Sequence, residues 1–349
     1  MGVRNNKGIC VEKAYPGAAI FAPNSLVSFA LDVNALIEEI SIQLTGSLTL
    51  AGYTANPLKR VEALENLISQ VSFNATAKQN GAQAVEVSSV DAAYLAYKTN
   101  LVAGAAPIRQ DVGVTNGVYL FETNFTKYFG AKGINKLYDA TYLDTRLLQS
   151  LTLQLQTRDV GAMIVPGSGT AGTATLGATQ AIVHSREWQG GAIAASAPYV
   201  KETQRSFDLT NLAGLDQQFR NVPIGNILQR QTFKTTVSPD VNYGDPNNGI
   251  IATAQRVEGA HVKTSVTGAG GTAVPNDIVY KMLQSQDKTD FKQATWPTGY
   301  ATVEYSRTGN ISDCLNLTNA LSCMNLADIT VTAGQINTLW ITDEQIVSN

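Results

Sequence analysis

Residues 40–50 alternate without a break: Ile40, Ile42, Leu44, Gly46, Leu48 and Leu50 take one parity, Ser41, Gln43, Thr45, Ser47 and Thr49 the other. A period of two held this long suits a strand with one face in a core, because a helix would scatter the same apolar residues around its cylinder. The polar parity carries no charge. Gly46 in the middle predicts a bend or bulge. The same period recurs in Val71–Ala77, Leu151–Leu155, Val262–Val266, Ala301–Tyr305 and at Ile329 and Val331, so strands are expected along the whole chain.

Two segments break the pattern. Ser88–Asn100 sets Val90, Ala93, Tyr94, Tyr97 and Leu101 on one helical face, with Ser88 or Ser89 as cap and Asp91 in the first turn. Asp277–Lys292 offers Ile278, Val279, Met282 and Leu283 as a stripe, with Asn276 as cap. Loops are expected at Gly104–Gly117, Pro166–Gly177, Gly190–Pro198, Pro239–Gly249 and Gly268–Pro275. Connections of that length in compact domains serve function or assembly.

At roughly 150 residues per domain, 349 residues leave room for two domains. A repeat search supports that division: Asn66–Lys78 lines up without gaps on Asn226–Ser238, Phe73 matching Phe233 and Thr76 matching Thr236, at an offset of 160 residues. With one helix per half, the expected architecture is all-β, two similar β-domains in tandem. A net charge of −3 argues against a protein that wraps DNA. Charged residues make up 15% of the chain, against about 25% in ordinary globular proteins. Uncharged polar residues replace them, and disorder is excluded because a disordered chain pairs low hydrophobicity with high charge.

No catalytic constellation emerges. Gly167, Gly169 and Gly172 have dinucleotide-loop spacing, but Thr-Ala-Thr-Leu-Gly follows where a helix would have to open, so the segment reads as a flexible loop. His184 and His261 are the only histidines, and no G-x-S-x-G elbow or H-E-x-x-H motif accompanies them. Glu38 and Glu39 fall on opposite strand faces. Asp240, Asn242 and Asp245 provide oxygen ligands for a low-affinity calcium site, although turn formation explains that loop equally. Cys10, Cys314 and Cys323 lack metal-site spacing; a Cys314–Cys323 bridge and idle thiols are the two readings. No cofactor is implied. No apolar run is long enough to span a bilayer, and no secretory signal pattern is present. Arg4, Lys7 and Lys13 form a basic N-terminal stretch, either a solvated tail or a contact for anionic lipid or nucleic acid.

Tandem β-domains with one helix each and a low-charge surface resemble the double jelly-roll major capsid proteins of tailless icosahedral viruses, especially membrane-containing bacteriophages. The likeness rests on Ile40–Leu50 followed by Asn66–Ala77, on Leu143–Leu155, on Val222–Leu228 as the opening strand of a second roll, and on Gly299–Tyr305 and Leu326–Val331 near its close. It implies a tail over residues 1–20, a first jelly roll over 21–195 and a second over 196–349. It also implies a non-enzymatic virion protein, made in the host cytoplasm, whose homotrimers form pseudo-hexameric tiles of an icosahedral shell. Implied partners are the chain itself, minor capsid or vertex proteins and an internal membrane or genome reached by the Arg4, Lys7 and Lys13 tail, without sequence-specific nucleic-acid binding. The rival class is a tandem carbohydrate-binding or adhesive β-sandwich, which would need exposed aromatic platforms such as Trp188, Trp296 or Trp340.

Overall fold

The structure, a computed structural model, describes residues 8–20, 22–54, 65–78, 84–103, 116–131, 141–164, 172–190, 198–209, 212, 214–237, 261–292, 300–306, 310–329 and 337–347. The first half contains β1 (Gly8–Ile20), β2 (Leu26–Leu31), β3 (Leu36–Ala51), β4 (Ile68–Ala77), β5 (Ala84–Val90), α1 (Ala92–Ala103), β6 (Gly117–Tyr128), β7 (Leu143–Asp144), β8 (Leu148–Thr157), β9 (Thr173–Leu176) and β10 (Gln180–Gly190). The second contains β11 (Tyr199–Asp208), β12 (Gly214–Phe219), β13 (Ile227–Val237), β14 (His261–Gly268), β15 (Gly271–Val279), α2 (Tyr280–Asp290), β16 (Tyr300–Glu304), β17 (Leu315–Asn316), β18 (Ser322–Ile329) and β19 (Asn337–Val347).

Each half is a sandwich of two antiparallel four-stranded layers. In the first, β1-β10-β3-β6 faces β2-β8-β4-β5; in the second, β11-β19-β13-β16 faces β12-β18-β14-β15. Strand for strand these are one topology. Strands β1 to β5 correspond to β11 to β15, α1 to α2, and β6, β7, β8 and β10 to β16, β17, β18 and β19. Even the short strands agree, since β7 pairs with β3 as β17 pairs with β13. This is a tandem double jelly roll. The alternating apolar residues fill each sandwich: Ile40, Ile42, Leu44, Phe73, Phe125 and Leu153 in the first, Phe219, Phe233, Val262, Leu339 and Ile341 in the second.

The duplication is real in topology, yet the expected alignment joins strands that are not counterparts. Asn66–Lys78 contains β4 and Asn226–Ser238 contains β13; the counterpart of β13 is β3, and that of β4 is β14. One-face-buried strands share a residue pattern wherever they sit, so a match between two of them does not locate the repeat.

Several local expectations are corrected. The strand β3 pairs with β6 from Glu39 to Leu50 with no irregularity at Gly46. That glycine answers a close approach: a Cβ there would lie 2.5 Å from Thr179 Oγ1 and 2.8 Å from Phe121 Cζ. The cap of α1 is Asp91, whose Oδ1 accepts the Tyr94 N–H at 2.6 Å, while Ser88 and Ser89 belong to β5. Gly268–Pro275 is a tight hairpin, Gly268 opposite Gly271, whose φ of +114° suits glycine. Beyond it β15 runs to Val279, so α2 starts at Tyr280, and Asn276 donates to the Val262 carbonyl instead of capping. Pro275 is tolerated at an irregularity of this edge strand. Gly8–Ile20, expected within a tail, is edge strand β1, paired with β10.

Candidate assembly surfaces and the junction between the sandwiches

The two sandwiches join in two ways. At sheet level, β11 lies beside β5 in parallel, Thr203 opposite Ser89, so the β2-β8-β4-β5 layer continues into β11-β19-β13-β16. Above that continuation, α1 lies across the outer face of the second sandwich's sheet. The part of that face beneath α1 therefore has no solvent side, and its polar residues must find partners within the protein.

Those partners are ions. Lys98 of α1 bonds Glu202 of β11 and, at 2.8 Å, Glu344 of β19; Lys127 of β6 reaches Glu202 at 3.0 Å. Arg230 of β13 bonds Glu304 of β16 at 2.6 Å and Glu344 at 3.2 Å. None of these six side chains is more than 3% exposed. Three cations thus meet three carboxylates. Around them Tyr94 donates to Glu344 at 2.7 Å, Tyr97 meets the Thr302 hydroxyl at 2.8 Å and stacks on Tyr300 at 4.2 Å, and Lys234 bonds the cap Asp91 at 2.6 Å.

The protonation behaviour follows from this enclosure. Burial alone would raise the Glu344 carboxyl, but Arg230 and Lys98 outweigh it and hold the group down at about 2. Burial likewise opposes charge on Lys98, and Glu202 with Glu344 overcome it, leaving the ammonium above its ordinary value. Lys127 goes the other way: burial dominates, assisted by the nearby Lys98 charge, and brings it down to about 8 despite Glu202.

The corresponding face of the first sandwich, on β1-β10-β3-β6, is open among the described residues. Its parity shows Ser41, Gln43, Thr45, Ser47 and Thr49 of β3, Val118, Leu120 and Asn124 of β6, and His184 and Arg186 of β10, half-buried or exposed. Val118 and Leu120 are 67% and 66% exposed. Arg186 bonds Glu39 at 3.0 Å and Glu12 at 3.3 Å, and Glu122, half-buried on the same parity of β6, accepts from Gln43, so the charge on the face is one arginine against three carboxylates.

The residues singled out in the sequence are scattered. Lys13 sits on β1, paired with Asp32 and over the Tyr15 ring; Arg4, Lys7 and the calcium candidates Asp240, Asn242 and Asp245 lie outside the described residues. So do most of the Gly167–Gly172 loop and Trp296. His184 is exposed, and His261, also exposed, bonds Asp277 at 2.8 Å. Glu38 is buried and accepts from Trp188 at 3.0 Å, while Glu39 points outward, as opposite parities require. Trp340 is half-buried beneath Lys234. Cys314 and Cys323 are free thiols in separate apolar clusters. Among the described residues, no group of three or more His, Cys, Asp or Glu could hold a metal ion, and no helix is long and apolar enough to cross a membrane.

The ionic junction was not anticipated from the sequence. Its one signal is charge on the second parity of strands: Arg230 and Lys234 alternate with Gln231 and Phe233, and Glu202 and Glu344 sit likewise, where the corresponding parity of 40–50 is uncharged.

No family model matches the sequence, and no curated relative does. Solved structures do. The chain superposes on a chain of the atomic structure of Sulfolobus turreted icosahedral virus with a TM-score of 0.69 at 14% identity, covering 97% of this chain and 91% of that one. The fold is therefore that of a viral double jelly roll. A crystal structure of the STIV MCP matches with a TM-score of 0.68 at 14% identity over 97% of both chains. The major capsid protein of bacteriophage PM2 matches with 0.56 at 12% identity over 98% of both. The double jelly roll here has the extent of those capsid chains, with neither sandwich missing.

Proposed function

We propose that this protein is the major capsid protein of an icosahedral virus and has no enzymatic role. Three copies form a pseudo-hexameric tile of six jelly rolls, and the tiles form the shell of the virion. The observation that carries this reading is the end-to-end likeness of the tandem sandwiches to viral capsid structures, 97% of this chain against 97% of the STIV MCP. The surface chemistry agrees with it. Obligate assemblies bury more than about 2,000 Å², and an open sheet face made mostly of Ser, Thr, Gln and Asn is desolvated at lower cost than one made mostly of Lys and Glu.

On this reading the shell is built in the cytoplasm of the host, a bacterium in the case of the phage-like resemblance. Minor capsid or vertex proteins complete it, and the basic stretch of Arg4, Lys7 and Lys13 faces an internal membrane or the genome, reading no base sequence. Lys13, held on β1 by Asp32, marks where that stretch joins the roll. Sedimentation equilibrium of the purified full chain is expected to give three copies per particle. A monomer throughout the micromolar range, or saturable binding to a glycan array by such a monomer, contradicts the reading and favours the adhesive sandwich.

A further inference from the structure

Lys127 stands where the fold does not ask for charge. It shares the parity of Phe125 and, just beyond β6, Phe129, both in the first core, and it lies opposite the core residue Ile40. The duplicated half shows the alternative. Thr99 of α1 accepts the Thr126 N–H at 2.9 Å as Asp287 of α2 accepts the Thr302 N–H at 2.8 Å, so Lys127 corresponds to Val303, which lies in the second core. A jelly roll thus closes with valine at this position. A buried ion pair is often no more stabilising than an apolar pair of similar volume, so stability alone does not account for a lysine there.

What surrounds the ammonium is a reaction geometry. Its Nζ lies 3.0 Å from Glu202 Oε2 and donates to the Val200 carbonyl at 3.0 Å, and neither the Lys127 nor the Glu202 side chain has any exposure. The Val200 N–H in turn donates to the Phe129 carbonyl at 2.9 Å, which pins β11 against the end of β6. The other carboxylate oxygen, Oε1, is held by Lys98, which also bonds Glu344 at 2.8 Å. Burial lowers Lys127 to about 8, so the free amine, the form that attacks a carboxyl carbon, is reached at small cost. Lys98 is held above its ordinary value and stays an ammonium, a fixed positive charge beside Oε1. Charge balance also allows the pair to disappear. With Lys127 and Glu202 removed, Lys98 and Arg230 still face Glu344 and Glu304.

We propose that Lys127 and Glu202 join in an amide bond that ties the two sandwiches covalently. The Nζ lone pair attacks Glu202 Cδ, the Cδ–Oε2 bond breaks with its electron pair, and two protons of the ammonium leave on that oxygen as water. Ammonium and carboxylate become one neutral amide and one water, with no other reactant. Lys98 stabilises the negative charge that develops on Oε1 as the tetrahedral intermediate forms. The ion pair described above is the chain before closure; afterwards Lys127 no longer titrates. The bond crosses from β6 to β11, so the sandwiches cannot separate without breaking it. It forms inside one chain and does not depend on assembly.

The intact mass of the purified full chain, measured after unfolding, tests this. Wild type held folded near neutral pH is expected to be lighter than its sequence by one water. A tryptic digest is expected to contain a branched peptide joining the segments around Lys127 and Glu202, with no cleavage after Lys127. Lys127→Arg keeps the positive charge on a group that does not lose its proton; it is expected to keep its full sequence mass and to melt at a lower temperature than closed wild type. If that variant misfolds, Lys127→Met combined with Glu202→Gln removes both charges together and is expected to fold at its full sequence mass. Folded wild type that stays at the full sequence mass overturns the proposal. So does a lost water that maps to any other pair, Lys98 with Glu202 included. Either result leaves the capsid reading untouched, because that reading is decided by the number of copies per particle.

Discussion

At the scale of single residues, the chain places its scarce charge where charge is most demanding. Arg230 and Glu344 are buried with every formal charge opposed. Removing one member of such a set leaves another without a partner, at a cost of about 3–5 kcal/mol. Glu344→Gln is therefore expected to lower the unfolding free energy by about that amount, measured by chemical denaturation near neutral pH. The acid response has a definite sign. The Glu344 carboxyl titrates near 2 in the folded chain and near 4.5 when unfolded, so its stabilisation is complete above 4.5 and is lost as pH falls towards 2. Denaturation at a series of pH values should show that loss in the wild type and a shallower slope in Glu344→Gln. Before closure, Lys127 gives a slope of the same sign in an alkaline window: burial disfavours its charged form, so with a folded value near 8 and an ordinary one of 10.5 stability rises with pH between them. Little of this was legible in the sequence. Period-two patterning distinguishes polar from apolar parity, but a polar parity beneath a helix from the other sandwich looks the same as one beneath water.

Strands were legible because each needs only its own residues to declare a buried face. The alternation at 40–50 lies within β3, and the segments at 71–77, 151–155 and 262–266 lie within β4, β8 and β14. What failed depended on neighbours. A glycine in a strand commonly marks a bend; at Gly46 the cause is instead the approach of Thr179 and Phe121, contributed from far along the chain. Gly46→Val is therefore expected to destabilise the fold by about 1–3 kcal/mol through overpacking, read as a lower denaturation midpoint with an unchanged slope. Asp277–Val279 suit a helix locally, but pairing with β14 keeps them extended, so α2 starts three residues later than the local pattern predicts. The candidate surfaces were visible only as a lack of charge. Which sheet face is open and which is covered depends on where α1 lies.

For the molecule as a whole, duplication and fold class could be read from strand content, one helix per half and length, but the equivalence of the halves could not. It lies in the order of strands within sheets, which pairwise sequence similarity does not encode. Because the junction is fully buried and its ions are shared across both sandwiches, neither half can open without stranding charge in the other. Calorimetry is expected to show one cooperative transition for the intact chain; two separated transitions would mean that the junction couples the sandwiches weakly. The function proposed for this chain is that of a shell-building unit whose copies associate into tiles. Electron cryo-microscopy of the purified particle tests that most directly. A ring of six sandwiches about one axis, contributed by three copies, is the predicted result. A particle holding a single copy, or copies arranged without such a ring, would contradict it.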